Sequence, residues 1–152
     1  MGDGAVGLCA VLAAHRAGVE RVLLLGHHER RLEIGRNFGA TDLVVARGPE
    51  AHDQIIDITG GVGADLVVEA VGEQDAITTA AAVCAPGGVV SMVGGPHGEL
   101  DLFGCFLRNV TLTGGLAPVR RYLPESTLPL PDIDRGYRAV LDRRATKVLV
   151  TA

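Results

Sequence analysis

The sequence predicts an α/β fold, a doubly wound parallel sheet with helices on both faces. Three observations carry that prediction. Short runs of Val, Leu and Ile recur along the 152 residues without the alternation of a half-exposed strand, as strands buried on both faces should. Segments of helical length separate these runs. The 21 glycines, about twice the usual frequency of roughly 7%, fall at the ends of the apolar runs, where βα turns belong.

Taken in order, the first candidate helix covers 5–17, with Leu8, Val11, Leu12 and His15 at i, i+3, i+4 and i+7. Cys9, Ala10, Ala13 and Ala14 supply small neighbours for close packing, and His15, at the end of the apolar stripe, reads as a satisfied helix histidine rather than a ligand. "RVLLLG" (21–26) is the first strand in the chain. The helix over 29–38 follows, in which Arg30 and Arg31 precede Leu32, Gly35 and Phe38. Gly35 costs that helix about 1 kcal/mol relative to Ala. "DLVVA" (42–46), a helix over 50–59, "ADLVVEAV" (64–71), a helix over 74–84, "GVVSMVG" (88–94) and "NVTLTGG" (109–115) continue the alternation. Right-handed βαβ crossovers follow from that order. The pattern then stops in a Pro-rich connection at about 117–132, where Pro118, Pro124, Pro129 and Pro131 exclude a long regular element. A helix over 133–143 and a strand over 147–150 are expected to close one domain, 1–152.

Composition excludes several function classes. At 47% hydrophobic and 21% charged, the chain is globular. It has no uninterrupted apolar stretch of the roughly 18 residues a membrane span needs and no basic leader, so a cytoplasmic protein without a membrane partner is expected. A net charge of -4 and 3% aromatic content argue against a nucleic-acid partner. Cys9, Cys84 and Cys105 are odd in number and scattered, which predicts small buried hydrophobes rather than disulfides or a metal site.

The chemistry-bearing motif is G-D-G-A-V-G, in which Gly2, Gly4 and Gly7 match the dinucleotide fingerprint G-x-G-x-x-G. Gly2 would make the tight turn, Gly4 would let the backbone approach a pyrophosphate, and Gly7 would permit close contact between helix and sheet. The following helix turns free N–H groups and its positive dipole end toward the phosphates. A glycine-rich turn without a ligand is the plainer reading. A second test lies about twenty residues on, where NAD-binding domains place an acid for the ribose 2′-hydroxyl. The strand tip instead reads Gly26, His27, His28, Glu29, Arg30, Arg31. A 2′-phosphate would be attracted by His and Arg, which favours NADP(H) over NAD(H). Glu29 reads as a first-turn acid suited to the helix dipole, within reach of a ribose. Val71 and Gly72, then Val93 and Gly94, stand at the carboxyl ends of later strands, where a cofactor needs room and where tight turns also need glycine.

Together, "GDGAVGLCAVLAAHRAG", "RRLEIGRNFGATDLVV", "GADLVVEAVG", "CAPGGVVSMVG", "LRNVTLTGGLAPVR" and "GYRAVLDRRATKVLV" resemble the cofactor domain of zinc-dependent alcohol dehydrogenases of the medium-chain dehydrogenase/reductase family. The resemblance implies a Rossmann-type sheet in which Gly2, Gly4, Ala5, Val6 and Gly7 hold the pyrophosphate. His27, His28 and Arg30 or Arg31 would lie near the adenosine ribose, and Val71, Gly72, Val93 and Gly94 would flank the nicotinamide. Lys147, the one lysine in the sequence, falls where the family often has a basic residue near the diphosphate, although a solvated charge is an equal reading.

The departures from the family set further expectations. No zinc-ligating domain precedes Gly2, so zinc would come only from sequence outside this chain. A helix and a strand also look lost between Leu123 and Ile133. The usual first strand is missing, and in the order 3-2-1-4-5-6 that strand is central. Removing about five buried Val/Ile-type residues would forfeit about 8 to 15 kcal/mol, comparable with the whole net stability of a domain. A marginally stable chain is expected unless the flanking strands close the gap or another chain lends a strand. The function expected is the NAD(P)-binding portion of an alcohol-type oxidoreductase, not catalytic alone. The alternative is a non-catalytic nucleotide-binding or oligomerisation module whose homo-oligomer contact is "LFGCFLRNVTLTGG". A methyltransferase is a more distant third, because its sheet would also want an acid near His27.

Overall fold

In a computed structural model of the chain, the apolar runs form parallel strands joined by helices. The structure describes residues 1–116, 128–129, 132–134, 138, 142 and 150–151. It divides into two units, Met1–Gly115 and Leu116–Ala152.

In the first unit the elements run α1 (Ala5–Arg16), β1 (Leu23–Leu25), α2 (Glu29–Asn37), β2 (Asp42–Val44), α3 (Gly48–Ile58), β3 (Ala64–Glu69), α4 (Gln74–Val83), β4 (Cys84–Met92), α5 (Leu102–Leu107) and β5 (Thr111–Gly114). Every strand pair is parallel: Leu24 opposes Leu43 in β1·β2, Val67 opposes Val90 in β3·β4, and Val90 opposes Leu112 in β4·β5. β1 and β2 are shorter than the apolar runs that contain them, whereas β4 begins four residues before its run, at Cys84. Helix α5 was not expected from the periodicity. Asp101 starts it by accepting a bond from the Gly104 N–H at 2.8 Å.

The strands form two ladders, β1-β2 and β3-β4-β5. This is the Rossmann order with its centre open: β2 and β1 stand for positions three and two, β3 to β5 for positions four to six. Among the described residues no strand lies between β1 and β3. Those two do not pair to close the gap; two residues bridge it at one end. The Gly2 N–H donates to Leu25 O at 2.9 Å on one side. On the other, the Met1 amine donates to Val68 O at 2.6 Å and the Ala70 N–H donates to Met1 O at 3.1 Å. Met1 also packs against the larger core cluster, built around Val44, Ile55, Val67, Val83 and Val90.

The second cluster, including Leu8, Val11, Leu24 and Leu32, seats α1 and α2 on β1. Gly35 explains itself there. A Cβ at that position would collide with the Leu24 side chain, so the glycine's cost to α2 is offset by the approach of helix to strand. At the other end of the unit, the Arg108 guanidinium donates to Ala81 O at 2.6 Å and Cys84 O at 3.1 Å, satisfying carbonyls left over where α4 runs directly into β4. Cys84 and Cys105 are buried as expected, but Cys9 is exposed, because it lies off the Leu8 and Val11 face of α1.

In the second unit, β6 (Leu128–Pro129) pairs in parallel with β7 (Val150–Thr151). A two-residue strand therefore exists within the Pro-rich connection. The expected helix over 133–143 lies mostly outside the described residues, and Lys147 lies outside them entirely.

Candidate functional site

The glycine-rich turn hangs from the Met1–Gly2 bridge, at the carboxyl ends of β1 and β3. Gly2 has φ +96°, and a Cβ on it would stand 2.9 Å from Val71 Cγ2, so only glycine turns there without strain. A Cβ on Gly7 would collide with the Gly2 carbonyl, so the third glycine lets the first turn of α1 sit against the loop itself rather than against the sheet face. Gly4 differs from both. A Cβ there would meet nothing within 4 Å, so its missing side chain leaves open space. It is also the N-cap of α1, with no capping side chain and no acid in the first turn. Among the described residues, the first N–H groups of α1 and the positive end of its dipole have no hydrogen-bond partner.

Gly4, at the start of α1, lines a cleft of about 580 Å³ whose walls also include Gly2, His27, Arg47 and Val71. At its floor is Asp3, 5% exposed. Its Oδ2 accepts from the His27 N–H at 3.0 Å and the His28 N–H at 2.8 Å, and the His28 ring nitrogen Nδ1 lies 3.0 Å away. The Arg31 guanidinium is 3.6 Å from Oδ1. Burial opposes ionisation, yet the two backbone donors and the His28 side chain outweigh it and hold the Asp3 carboxyl below its ordinary pKa. Asp3 thus shapes the loop after β1. It also accounts for Gly26, where a Cβ would stand 2.7 Å from Asp3 Cβ: the space at that strand tip is taken by the carboxylate, not kept for a phosphate.

Beyond this floor lie the cations. Arg47, in the turn before α3, donates from Nη2 to His27 Nε2 at 2.8 Å. Partial desolvation and then the Arg47 charge hold the His27 imidazole below its usual pKa. Asp3, His27 and His28 bring ligand-type atoms within 4.8 Å of one another. With two guanidiniums alongside, this corner suits an anion better than a metal cation.

The structure therefore gathers Gly2, Gly4, His27, His28, Arg31 and Val71 around one cleft. Ala5 and Val6 stand at the start of α1 but, like Gly7, Gly72 and Gly94, lie outside the lining of the cleft, and Glu29 stands in the first turn of α2 as its dipole reading expected. Arg30 and Val93 are exposed and outside the cleft wall. Gly72 and Gly94 meet backbone to backbone, with a Gly94 Cβ only 2.6 Å from the Gly72 nitrogen. Glu69 supports this crossing. Fully buried, its Oε1 accepts from the N–H groups of Val71 at 2.7 Å and Gly72 at 2.9 Å, while Oε2 has no hydrogen-bond partner among the described residues. Asp3, Arg47 and Glu69 were all missed from sequence. Asp3 occupies a position the fingerprint leaves free, and Arg47 meets His27 only through the parallel pairing of β1 with β2.

Residues 5–130 match the family described as zinc-binding dehydrogenase. The chain belongs to this family. A probable zinc-binding alcohol dehydrogenase of Mycobacterium tuberculosis is 35% identical over 159 residues, which cover 90% of this chain and 40% of that protein. An NADP-dependent isopropanol dehydrogenase of Clostridium beijerinckii is 31% identical, over 82% of this chain and 37% of that protein. The zinc-binding dehydrogenase chain thus spans well under half the length of these curated relatives. Among solved structures, an alcohol dehydrogenase from Thermus sp. ATN1 superposes with a TM-score of 0.79 at 29% identity, covering 98% of this chain and 49% of that one. The fold is accordingly Rossmann-type. Among the described residues no helix is long and apolar enough to cross a membrane.

Proposed function

We propose that this chain is the cofactor-binding domain of a zinc-type alcohol dehydrogenase, holding NAD(P)(H), with NADP(H) preferred. The observation that carries this reading is the uncapped start of α1 at Gly4, open to the cleft. A pyrophosphate fits that cradle. The N–H groups of Ala5 and Val6 would donate to it, and the space where Gly4 lacks a Cβ would admit its oxygens. Val71 lines the cleft toward the nicotinamide end, with Gly72, Val93 and Gly94 setting the turns behind it. Lys147 is assigned to the diphosphate on the family resemblance. When bound, the nicotinamide exchanges a hydride with an alcohol or aldehyde. In this reading the catalytic zinc and the substrate pocket belong to the portion of the relatives that this chain does not span.

Preference for NADP(H) is supported by His27, His28, Arg31 and Arg47 at the adenosine end, and by relatives named as NADP-dependent. It does not rest on Gly26, whose space Asp3 occupies.

The test is fluorescence titration of the 152-residue chain with NADPH and NADH, alongside Gly4→Ala. Gly4 has φ -79° and open surroundings, so alanine fits without a clash and the fold is kept, at the roughly 0.5–1 kcal/mol that alanine costs at an N-cap. It puts a methyl where the pyrophosphate must lie, and binding should weaken by about 10- to 100-fold, the equivalent of about 1–3 kcal/mol of overpacking. Unchanged affinity in Gly4→Ala would refute the pyrophosphate assignment.

A second reading has its own observation. Leu102, Phe103, Phe106 and Leu107 of α5 are 64%, 69%, 73% and 64% exposed, an apolar face suited to association between copies of the chain.

A further inference from the structure

The cations at the adenosine end form more than a sum of charges, because two of them are joined in a way that fixes a protonation state. Arg47 Nη2 donates to His27 Nε2 at 2.8 Å. A guanidinium has donors and no acceptor, so the ring nitrogen facing it must present a lone pair, and His27 carries its proton on Nδ1 and is neutral. Protonating Nε2 would turn acceptor into donor and oppose two N–H groups at hydrogen-bond distance. The other charged groups around His27 come from three elements. Asp3 reaches it from the glycine-rich turn, with Oδ2 on its backbone N–H at 3.0 Å. The His28 ring lies against it, tilted by 39°, at a centroid distance of 3.9 Å. Arg31 of α2 sits beyond, on Asp3 Oδ1 at 3.6 Å. Glu73 and Asp75, at the start of α4, line the same cleft. Among the described residues Asp3 is the one anion in direct contact, and its charge is already met by four donors.

A phosphate dianion entering this corner changes the arithmetic. Its oxygens accept from Arg47 and from His27 together, so the guanidinium no longer needs the imidazole lone pair. Nε2 is then free to bind a proton and present it to the phosphate. We propose that a 2′-phosphate binds here with uptake of one proton by His27, so that the choice between NADPH and NADH depends on pH. Partial desolvation and the Arg47 charge, which keep the free imidazole below its usual pKa, support the same direction. The inference rests on the NADP(H) reading above and goes beyond it by naming a proton as a second ligand of the site. The proton balance is simple: one is taken from solvent on binding and one is returned on release.

The sign distinguishes this coupling from the ligand's own titration. The second pKa of a phosphomonoester is about 6, so raising the pH makes the ligand more anionic and tightens binding to cations. Proton uptake by His27 acts oppositely, weakening NADPH binding as pH rises by at most about tenfold per pH unit.

The test measures the dissociation constants of NADPH and NADH for the 152-residue chain between pH 6 and pH 8.5. The ratio of NADH to NADPH constants should fall about tenfold across that range. In His27→Asn, which keeps a polar side chain but cannot titrate, the ratio should stay level or rise. Calorimetry in two buffers of different ionisation enthalpy should show proton uptake with NADPH and none with NADH, and the difference should vanish in His27→Asn. A preference for NADPH that is constant or rises with pH in the unaltered chain overturns the proton coupling and leaves the cofactor reading standing. No preference at any pH overturns both.

Discussion

Asp3 shows how one side chain organises a site without being written in its motif. The carboxylate is buried beneath the cleft and ties the turn after β1 to the glycine-rich turn through two backbone N–H groups. Replacing Asp3 by Ala should cost about 1–3 kcal/mol in a urea melt, because those donors lose their partner, and should also weaken NADPH binding by loosening the loop that carries His27. The pH dependence follows from the lowered pKa. Asp3 contributes stability above the ordinary value of 3.8, and that contribution is lost as pH falls through its lower folded value. Acid melts of Asp3→Ala should therefore be flatter below pH 4 than those of the parent.

The Met1 amine acts in the same direction at higher pH. Burial lowers its pKa from 8.0 to about 6, with the Glu69 charge opposing the shift. Between those values the unfolded chain holds a proton that the folded chain does not. Stability is then highest above pH 8 and declines by about 2–3 kcal/mol as pH falls to 6, levelling off below. Urea midpoints of the 152-residue chain with a free amine, compared with its Nα-acetylated form, check this: the slope should disappear on acetylation. Neither residue-level effect was legible in sequence. Asp3 sits at a position the fingerprint leaves free, and the burial of the Met1 amine depends on where β3 lies.

At the scale of elements, the chain was more transparent. The order of apolar runs and helical segments gave β1 to β5 and α1 to α4 in register with the structure, because strands buried on both faces require continuous Val and Leu runs. Element ends were less legible. β1 and β2 hold only three paired residues each, since a strand extends only as far as its neighbour does. β4 gains its early start through a pairing of Cys84 with Ala64 across an irregularity that no local pattern announces. Gly35 looked like a defect of α2 and proves to be a contact, intelligible only once Leu24 is placed beneath it. Of the cofactor-site expectations, those carried by the helix N-terminus were the easiest to make, because free N–H groups follow from the helix itself. Arg47 depended on the β1·β2 register and could not be found without it.

In the first unit, β1 and β3 belong to separate ladders and do not pair with each other. Met1 and Gly2 hydrogen-bond to both flanking strands at the carboxyl end, the same end that carries the cleft. The two ladders are thus joined at the mouth of the candidate site, while the remainder of β1 and β3 face the gap.

That arrangement inverts the usual ranking of amide protection. In a doubly wound sheet the middle ladder exchanges its hydrogens most slowly, since it opens only when the molecule unfolds. Alternation along a parallel strand turns the amides of Leu23, Leu25, Leu66 and Val68 toward the gap, and those of Val67 and Glu69 toward β4. Hydrogen–deuterium exchange read by NMR should find the first four fast and Val67, Glu69 and Val90 slow. The solvent-labile seam of this fold would then run through its geometric centre, with Ala70, bonded to Met1, as the first protected amide at its closed end.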